Sequence, residues 1–273
     1  MTELGRAATA HAIDVPGAGG ATLTLSWGAA TDVGRRRDHN EDSYIVGAPF
    51  FVVADGMGGH LAGDRASDAV VRRLEQAGQE PFTTRQGIQR ALLLATADIE
   101  RAAAGNAIGA GTTVTGVALV AAQGQPAALV FNVGDSRTYR VEDGQLRRVT
   151  VDHSVVQEMV DAGLLRAEDA EKHPDSNVIT RAVGFGEPPV PDWWTLPLRP
   201  GDRYIVCSDG LTKEIGDAGI ARIAARVDSP QELADRLVGD AVLAGGRDNV
   251  TVVVLQVDAA PADGDLEDTL PRH

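Results

Sequence analysis

Apolar residues recur along the chain in two rhythms. Short, nearly uninterrupted runs at Leu23–Trp27, Phe50–Ala54, Thr112–Val120, Ala127–Val133, Tyr204–Cys207 and Val250–Val257 are separated by turn-forming residues and predict β-strands. The Asp143-Gly144 pair between Tyr139–Val141 and Leu146–Val149 predicts a hairpin. Helical spacing sets Ala66, Val70 and Leu74 on one face, then Ile88, Leu92, Ala95 and Ile99, and later Leu233, Leu237 and Ala241. The first two helical patterns are adjacent, with strands grouped on either side. That order predicts an α+β domain rather than strict βαβ alternation. No internal repeat is visible.

Between Asp152 and Pro191 the chain has short helical patterns, Val155-Val156-Met159 and Leu164 to Ala170, but little continuous apolar sequence. It reads as a surface excursion of the kind that forms lids and binding loops. The first 22 or so residues are rich in Ala and Gly, and the stretch from Ala259 to His273 is acidic and nearly without large apolar side chains. Both ends are expected to be disordered, leaving residues 23–258 as one domain.

Composition narrows the partners. The chain has 273 residues, 43% of them hydrophobic, which is enough for a sizeable core. A net charge of −14 argues against nucleic acid or an anionic membrane surface as partner. The basic run Arg35-Arg36-Arg37 is the exception, and its place just before Asn40-Glu41-Asp42 suggests a local anion site. The single cysteine, Cys207, lies in an apolar run and reads as core; it excludes an internal disulfide framework and fits a reducing compartment. No stretch approaches the roughly 18 apolar residues of a membrane span, and the N-terminus lacks the pattern of a secretory signal, so a soluble, cytoplasmic protein is expected. A monomer is the expected state.

Four acidic motifs sit beside apolar runs: Asn40-Glu41-Asp42, Asp55-Gly56, Ser208-Asp209-Gly210 and Asp248-Asn249. Any one alone reads as a turn. Brought to one place, such carboxylates would repel one another unless cations neutralised them, so together they suggest a metal site. Oxygen ligands with no cysteine and few histidines nearby favour Mg²⁺ or Mn²⁺ over zinc. Spacing along one chain does not show whether the four motifs converge.

Arg37-x-x-Asn40-Glu41-Asp42, Asp55-Gly-Met-Gly-Gly-His60, Gly111-Thr112-Thr113, Asn132-Val-Gly-Asp135-Ser-Arg137, Asp152-His153-Ser154, Ser208-Asp209-Gly210-Leu211 and Asp248-Asn249 occur in that order. The set, running from about Trp27 to Val257, resembles the signature of the metal-dependent protein phosphatase family, type 2C, in its bacterial serine/threonine form. The resemblance implies a four-layer αββα sandwich: two central antiparallel sheets, a helix pair on each outer face, and a centre for two Mn²⁺ or Mg²⁺ ions at one end. It implies that Asp55 bridges the ions, with Glu41 and the Gly56 carbonyl completing one site and Asp209 and Asp248 the other. Arg37 would bind the substrate phosphate through its planar fork, a task for which arginine is suited; a surface ion pair with Asp38 or Glu41 is the plainer alternative. In the family a water bridging the ions attacks phosphorus directly, and His60 would protonate the departing serine or threonine alkoxide. A turn histidine is the plainer reading of His60. His153 is expected to order the loop rather than take part in the chemistry.

Asp135 matches the position that, with Asp209, takes a weaker third ion in the family. Four residues beyond Asp209, where many relatives carry Asp, this chain has Lys213, followed by Glu214. Lysine supplies positive charge where a carboxylate would have coordinated a cation, which puts the third ion in doubt; Glu214 could compensate or not. The excursion after His153, including Asn177-Val-Ile-Thr-Arg181-Ala-Val-Gly184, resembles the family's flap (about 152–191), and Trp193-Trp194 beyond it reads as packing.

The resemblance thus implies a phosphoserine/phosphothreonine protein phosphatase that opposes a protein kinase and acts on phosphorylated proteins. A catalytically silent relative that only binds phosphoproteins is the alternative, and a phosphatase for a small phosphorylated metabolite is a third. A silent relative would be expected to have lost some of Asp55, Asp209 and Asp248, and all three are present.

Overall fold

The computed structural model of the chain describes residues 1–58, 61–103, 109–122 and 125–261. In chain order its first half contains β1 (Glu3–Gly5), β2 (Ala8–Asp14), β3 (Thr22–Asp32), β4 (Ser43–Gly47), β5 (Phe50–Ala54), β6 (Gly56–Met57), α1 (Leu61–Ala77), α2 (Arg85–Ala103), β7 (Gly111–Thr112), β8 (Val114–Ala122) and β9 (Gln125–Val133). The second half adds β10 (Arg137–Glu142), β11 (Gln145–Arg148), α3 (Val155–Asp161), α4 (Ala167–Ala170), β12 (Asp192–Pro197), β13 (Arg203–Cys207), α5 (Asp209–Ala224), α6 (Pro230–Ala244) and β14 (Val250–Ala259).

Two six-stranded sheets face each other, one ordered β1-β4-β5-β8-β9-β12 and the other β11-β10-β13-β14-β3-β2. The apolar runs are continuous because their strands are covered on both faces, so both parities of the pleat need hydrophobic side chains. In β5, Phe51 and Val53 enter the core between the sheets, while Phe50, Val52 and Ala54 pack under α1 and α2. In β14, Val253, Leu255 and Val257 take the inter-sheet side, while Val250, Val252 and Val254 lie under α5 and α6. Helix pairs on both outer faces complete the αββα sandwich. Ala66, Val70, Leu74, Ile88, Leu92, Leu233 and Leu237 are all buried, as their spacing predicts. The hairpin turn at Asp143-Gly144 has positive φ at both residues (51° and 74°) and sets Glu142 opposite Gln145.

Two expectations are corrected. The first 22 residues are ordered rather than disordered: β2 pairs antiparallel with β3, and β1 pairs with β4 in parallel, so the sheets are not wholly antiparallel. Composition misleads there because edge strands are held by backbone hydrogen bonds, which Ala and Gly supply as well as any residue. A few side chains add anchorage: Ile13 and Val15 are buried in the inter-sheet core, and Trp27 Nε1 donates to the Arg6 carbonyl. At the other end, β14 continues to Ala259 and the described chain to Pro261; residues 262–273 of the acidic tail lie outside the described residues. Among the described residues no helix is long and apolar enough to cross a membrane.

Candidate active site

The acidic motifs lie at one end of the sandwich because antiparallel register brings strand ends together. Ser43 pairs with Ala54, so Asp42 and Asp55 leave the first sheet side by side. In the second sheet Cys207 pairs with Val252, which sets Ser208-Asp209 beside the start of β14 and hence beside Asp248-Asn249. Asp42 joins the two sheets: its Oδ2 accepts from Ser208 Oγ (2.9 Å) and from Thr251 Oγ1 (2.6 Å). The loop carrying Glu41 is held by Asn249, whose Oδ1 accepts from Glu41 N (2.9 Å) and whose Nδ2 donates to the Val33 and His39 carbonyls.

Close backbone approach explains two glycines. A Cβ on Gly56 would fall 2.2 Å from the Gly63 carbonyl oxygen, and one on Gly210 would fall 2.0 Å from that of Asn249. Only glycine lets Asp55 and Asp209 be followed by chain packed so tightly against α1 and against the Asp248 turn. A Cβ on Gly63 would meet both Glu41 Oε2 (2.5 Å) and the Gly56 carbonyl carbon (2.9 Å), so Glu41 and Gly56 face the same narrow space.

These residues open onto a cleft of about 1320 Å³ lined by Arg37, Glu41, Asp55, Asp135, Asp209 and Asp248. Gly56 and Lys213 also line it, and the excursion forms another part of the wall through Val156, Gln157, Asn177 and Ile179. Burial, then the charges of Asp42, Asp209, Asp135 and Asp248, push the Asp55 carboxyl well above the usual carboxylate range. Burial likewise raises Asp42 to about 7, despite its two hydroxyl donors. Asp135 rises to about 7 through burial and the Asp209 charge, against the opposing pull of Lys213.

Cationic side chains meet part of this charge. Arg37 Nη2 donates to Asp248 Oδ2 at 2.8 Å, a partner that the ion-pair alternative had not named. The Lys213 ammonium donates to Asp209 Oδ2. Among the described residues no group of three or more Asp, Glu, His or Cys side chains is already arranged as a coordination shell. The chemistry of the donors nonetheless fits a hard divalent ion: all are oxygens, they crowd one cleft, and no described residue hydrogen-bonds to the Asp55 carboxylate. The Asp135–Asp209 side fits one poorly, because an ammonium already stands there.

His60 lies outside the described residues. His153 has a positioning part: its Nδ1 accepts from Gly134 N (3.1 Å) and its Nε2 lies 3.1 Å from Asp192 Oδ2, tying the loop before Asp135 to β12. Sequence reasoning did not single out Asp42 as the link between the sheets. Nor did it find Thr113, whose Oγ1 accepts from Asp55 N (3.2 Å) and shares a hydrogen bond with Ser136 Oγ (2.8 Å). A signal for Asp42 was present, an acidic residue entering a strand whose following residues are all apolar or small.

A two-sheet sandwich with helix pairs outside and an acidic cleft at one end defines the architecture of the type 2C phosphatases. The family model for protein phosphatase 2C matches residues 35–256, and the chain belongs to that family. It is 38% identical over 248 residues to the serine/threonine protein phosphatase PstP of Mycobacterium tuberculosis, covering 86% of this chain and 46% of that protein. The chain thus spans about half the length of PstP. It is 36% identical over 241 residues to the serine/threonine phosphatase stp of Listeria monocytogenes, covering 84% of this chain and 94% of the relative. Among solved structures, the catalytic domain of PstP in complex with two manganese ions superposes with a TM-score of 0.75 at 35% identity, covering 85% of this chain and 98% of that one.

Proposed function

We propose that this chain is a divalent-metal-dependent protein phosphatase that hydrolyses phosphoserine and phosphothreonine. The observation that carries the reading is the convergence of Glu41, Asp55, Asp209 and Asp248 on one cleft with Arg37 at its rim. Glu41, Asp55 and the Gly56 carbonyl would hold one ion, and Asp55, Asp209 and Asp248 the other. Two Mg²⁺ or Mn²⁺ ions held there supply Lewis acidity and an activated water for attack on a phosphomonoester.

The protein's own groups do the rest. The Arg37 guanidinium, half-exposed and tethered to Asp248, is placed to bind a phosphate at the rim and orient it toward the carboxylates. His60 serves as the general acid for the alkoxide, since imidazole titrates near neutral pH. Asp42, Asn249 and Thr113 act on other residues, fixing the backbone that carries the carboxylates. The flap bounds the cleft on the side where the body of a phosphoprotein would lie. The substrates are then products of a serine/threonine protein kinase.

The test is hydrolysis of a phosphothreonine peptide and an aryl phosphate, with Mn²⁺ and with chelator, by wild type and Asp209→Ala. Wild type is expected to cleave both only with metal, and the variant to have lost that activity. Turnover in chelator, or an Asp209→Ala protein as active as wild type, would overturn the mechanism. A silent phosphoprotein-binding relative would bind the peptide and cleave neither substrate.

A further inference from the structure

We propose that the Lys213 ammonium is a permanent internal cation, neutralising the Asp135–Asp209 side of the cleft in place of an exchangeable third metal ion and tying the flap to α5 through Asn177. The inference rests on the two-ion reading above and adds a limit to it: this chain takes two ions and no third.

Lys213 lies one helical turn after Asp209 on α5, the spacing at which side chains on one face meet. Its Nζ donates to Asp209 Oδ2 and, at 2.6 Å, to Asn177 Oδ1, which lies 36 residues earlier in the flap. The ion pair is sheltered, with side-chain exposures of 32% for Lys213 and 14% for Asp209. A divalent ion between Asp135 and Asp209 would therefore have to displace a like charge already bonded to one of its ligands.

Glu214 offers no substitute. Its buried carboxylate accepts from Arg247 N (2.8 Å) and Arg247 Nε (2.9 Å), so it is committed to Arg247. The flap tie is specific in place. Val155 N donates to the Val178 carbonyl and Thr180 N to that of His153, so backbone bonds hold the chain just after Asn177. Lys213 adds a side-chain bond at Asn177 itself.

The experiment counts bound Mn²⁺ by equilibrium dialysis with elemental analysis, and reads amide hydrogen exchange of residues 172–181 in chelated and Mn²⁺-saturated protein, for wild type, Lys213→Asp and Lys213→Met. Wild type is expected to saturate at two ions, Lys213→Asp at three with the last one weak, and Lys213→Met at two. In chelator both variants are expected to exchange several-fold faster than wild type in the flap, and saturating Mn²⁺ to restore protection in Lys213→Asp alone. Three ions on wild type, or flap exchange in Lys213→Met equal to that of wild type, would overturn the proposal and leave the two-ion reading standing. Wild type that binds no ion would remove the two-ion reading itself.

Discussion

Arg37 and Asp248, separated by 211 residues, are joined at 2.8 Å across the mouth of the cleft. Hydrogen bonding to Asp248, with the charges of Asp248, Glu41 and Asp55 adding to it, keeps the guanidinium firmly protonated. The pair places a fixed positive charge at the rim above the carboxylates, where an incoming phosphate dianion would first meet the protein.

Replacing Arg37 should therefore weaken phosphate capture more than metal binding. Charge-assisted hydrogen bonds are worth about 1.5–3 kcal/mol, so Arg37→Ala should lower kcat/KM by roughly ten- to a hundredfold. Steady-state kinetics on a phosphothreonine peptide would measure this, and Arg37→Lys should recover only part of the loss because a point charge cannot form the bidentate fork. An unchanged kcat/KM in Arg37→Ala would return the residue to a surface ion pair.

His60 should show its part through the leaving group. A general acid contributes on the order of 10²–10⁴-fold when the departing group is a poor one. The His60→Gln variant should lose activity by about that range on a phosphothreonine peptide. On an aryl phosphate, whose phenolate departs unaided, the loss should be much smaller. Equal losses on both substrates would assign His60 to structure.

Asp42 predicts a pH dependence of the metal-free protein. Its folded-state pKa is raised from 3.8 to about 7 by burial, so between those values the native protein holds a proton that the unfolded chain has released. Stability from this group therefore falls as pH rises through that window, with a slope approaching about 1.4 kcal/mol per pH unit, and levels off above the folded pKa. Denaturant melts in chelator at several pH values, for wild type and Asp42→Asn, would isolate the effect. The variant should gain on wild type from pH 5 to pH 7 and no further above it; a constant difference would place the proton elsewhere.

The N-terminal strands make a stability prediction of their own. Ile13 is 4% exposed in the inter-sheet core, so Ile13→Ala should cost about 2–5 kcal/mol by chemical denaturation. Substitution of the exposed His11 on the same strand should cost far less. A null effect at Ile13 would mean that β2 is not docked in solution.

What the sequence determined by itself was whatever repeats locally. Two-sided burial makes β5, β13 and β14 nearly continuous apolar runs, and one-sided burial spaces Val70 and Leu74 or Leu233 and Leu237 by a helical turn. Helix α5 escaped that reading because Gly216, at φ 61°, breaks its continuity between Leu211 and Ile220. The N-terminal strands escaped it because an edge is held by backbone hydrogen bonds, which leave no side-chain pattern. The acidic motifs were legible one by one, and Lys213 stood out by its place four residues beyond Asp209, where the resemblance led one to expect Asp. Tertiary structure decided their meeting: Asp42 to Ser208 and Thr251, Arg37 to Asp248, and Lys213 to Asn177 are contacts between distant parts of the chain. Local spacing follows from the pitch of a helix or the pleat of a strand, whereas convergence of distant carboxylates follows from strand register and sheet stacking, which no short stretch encodes.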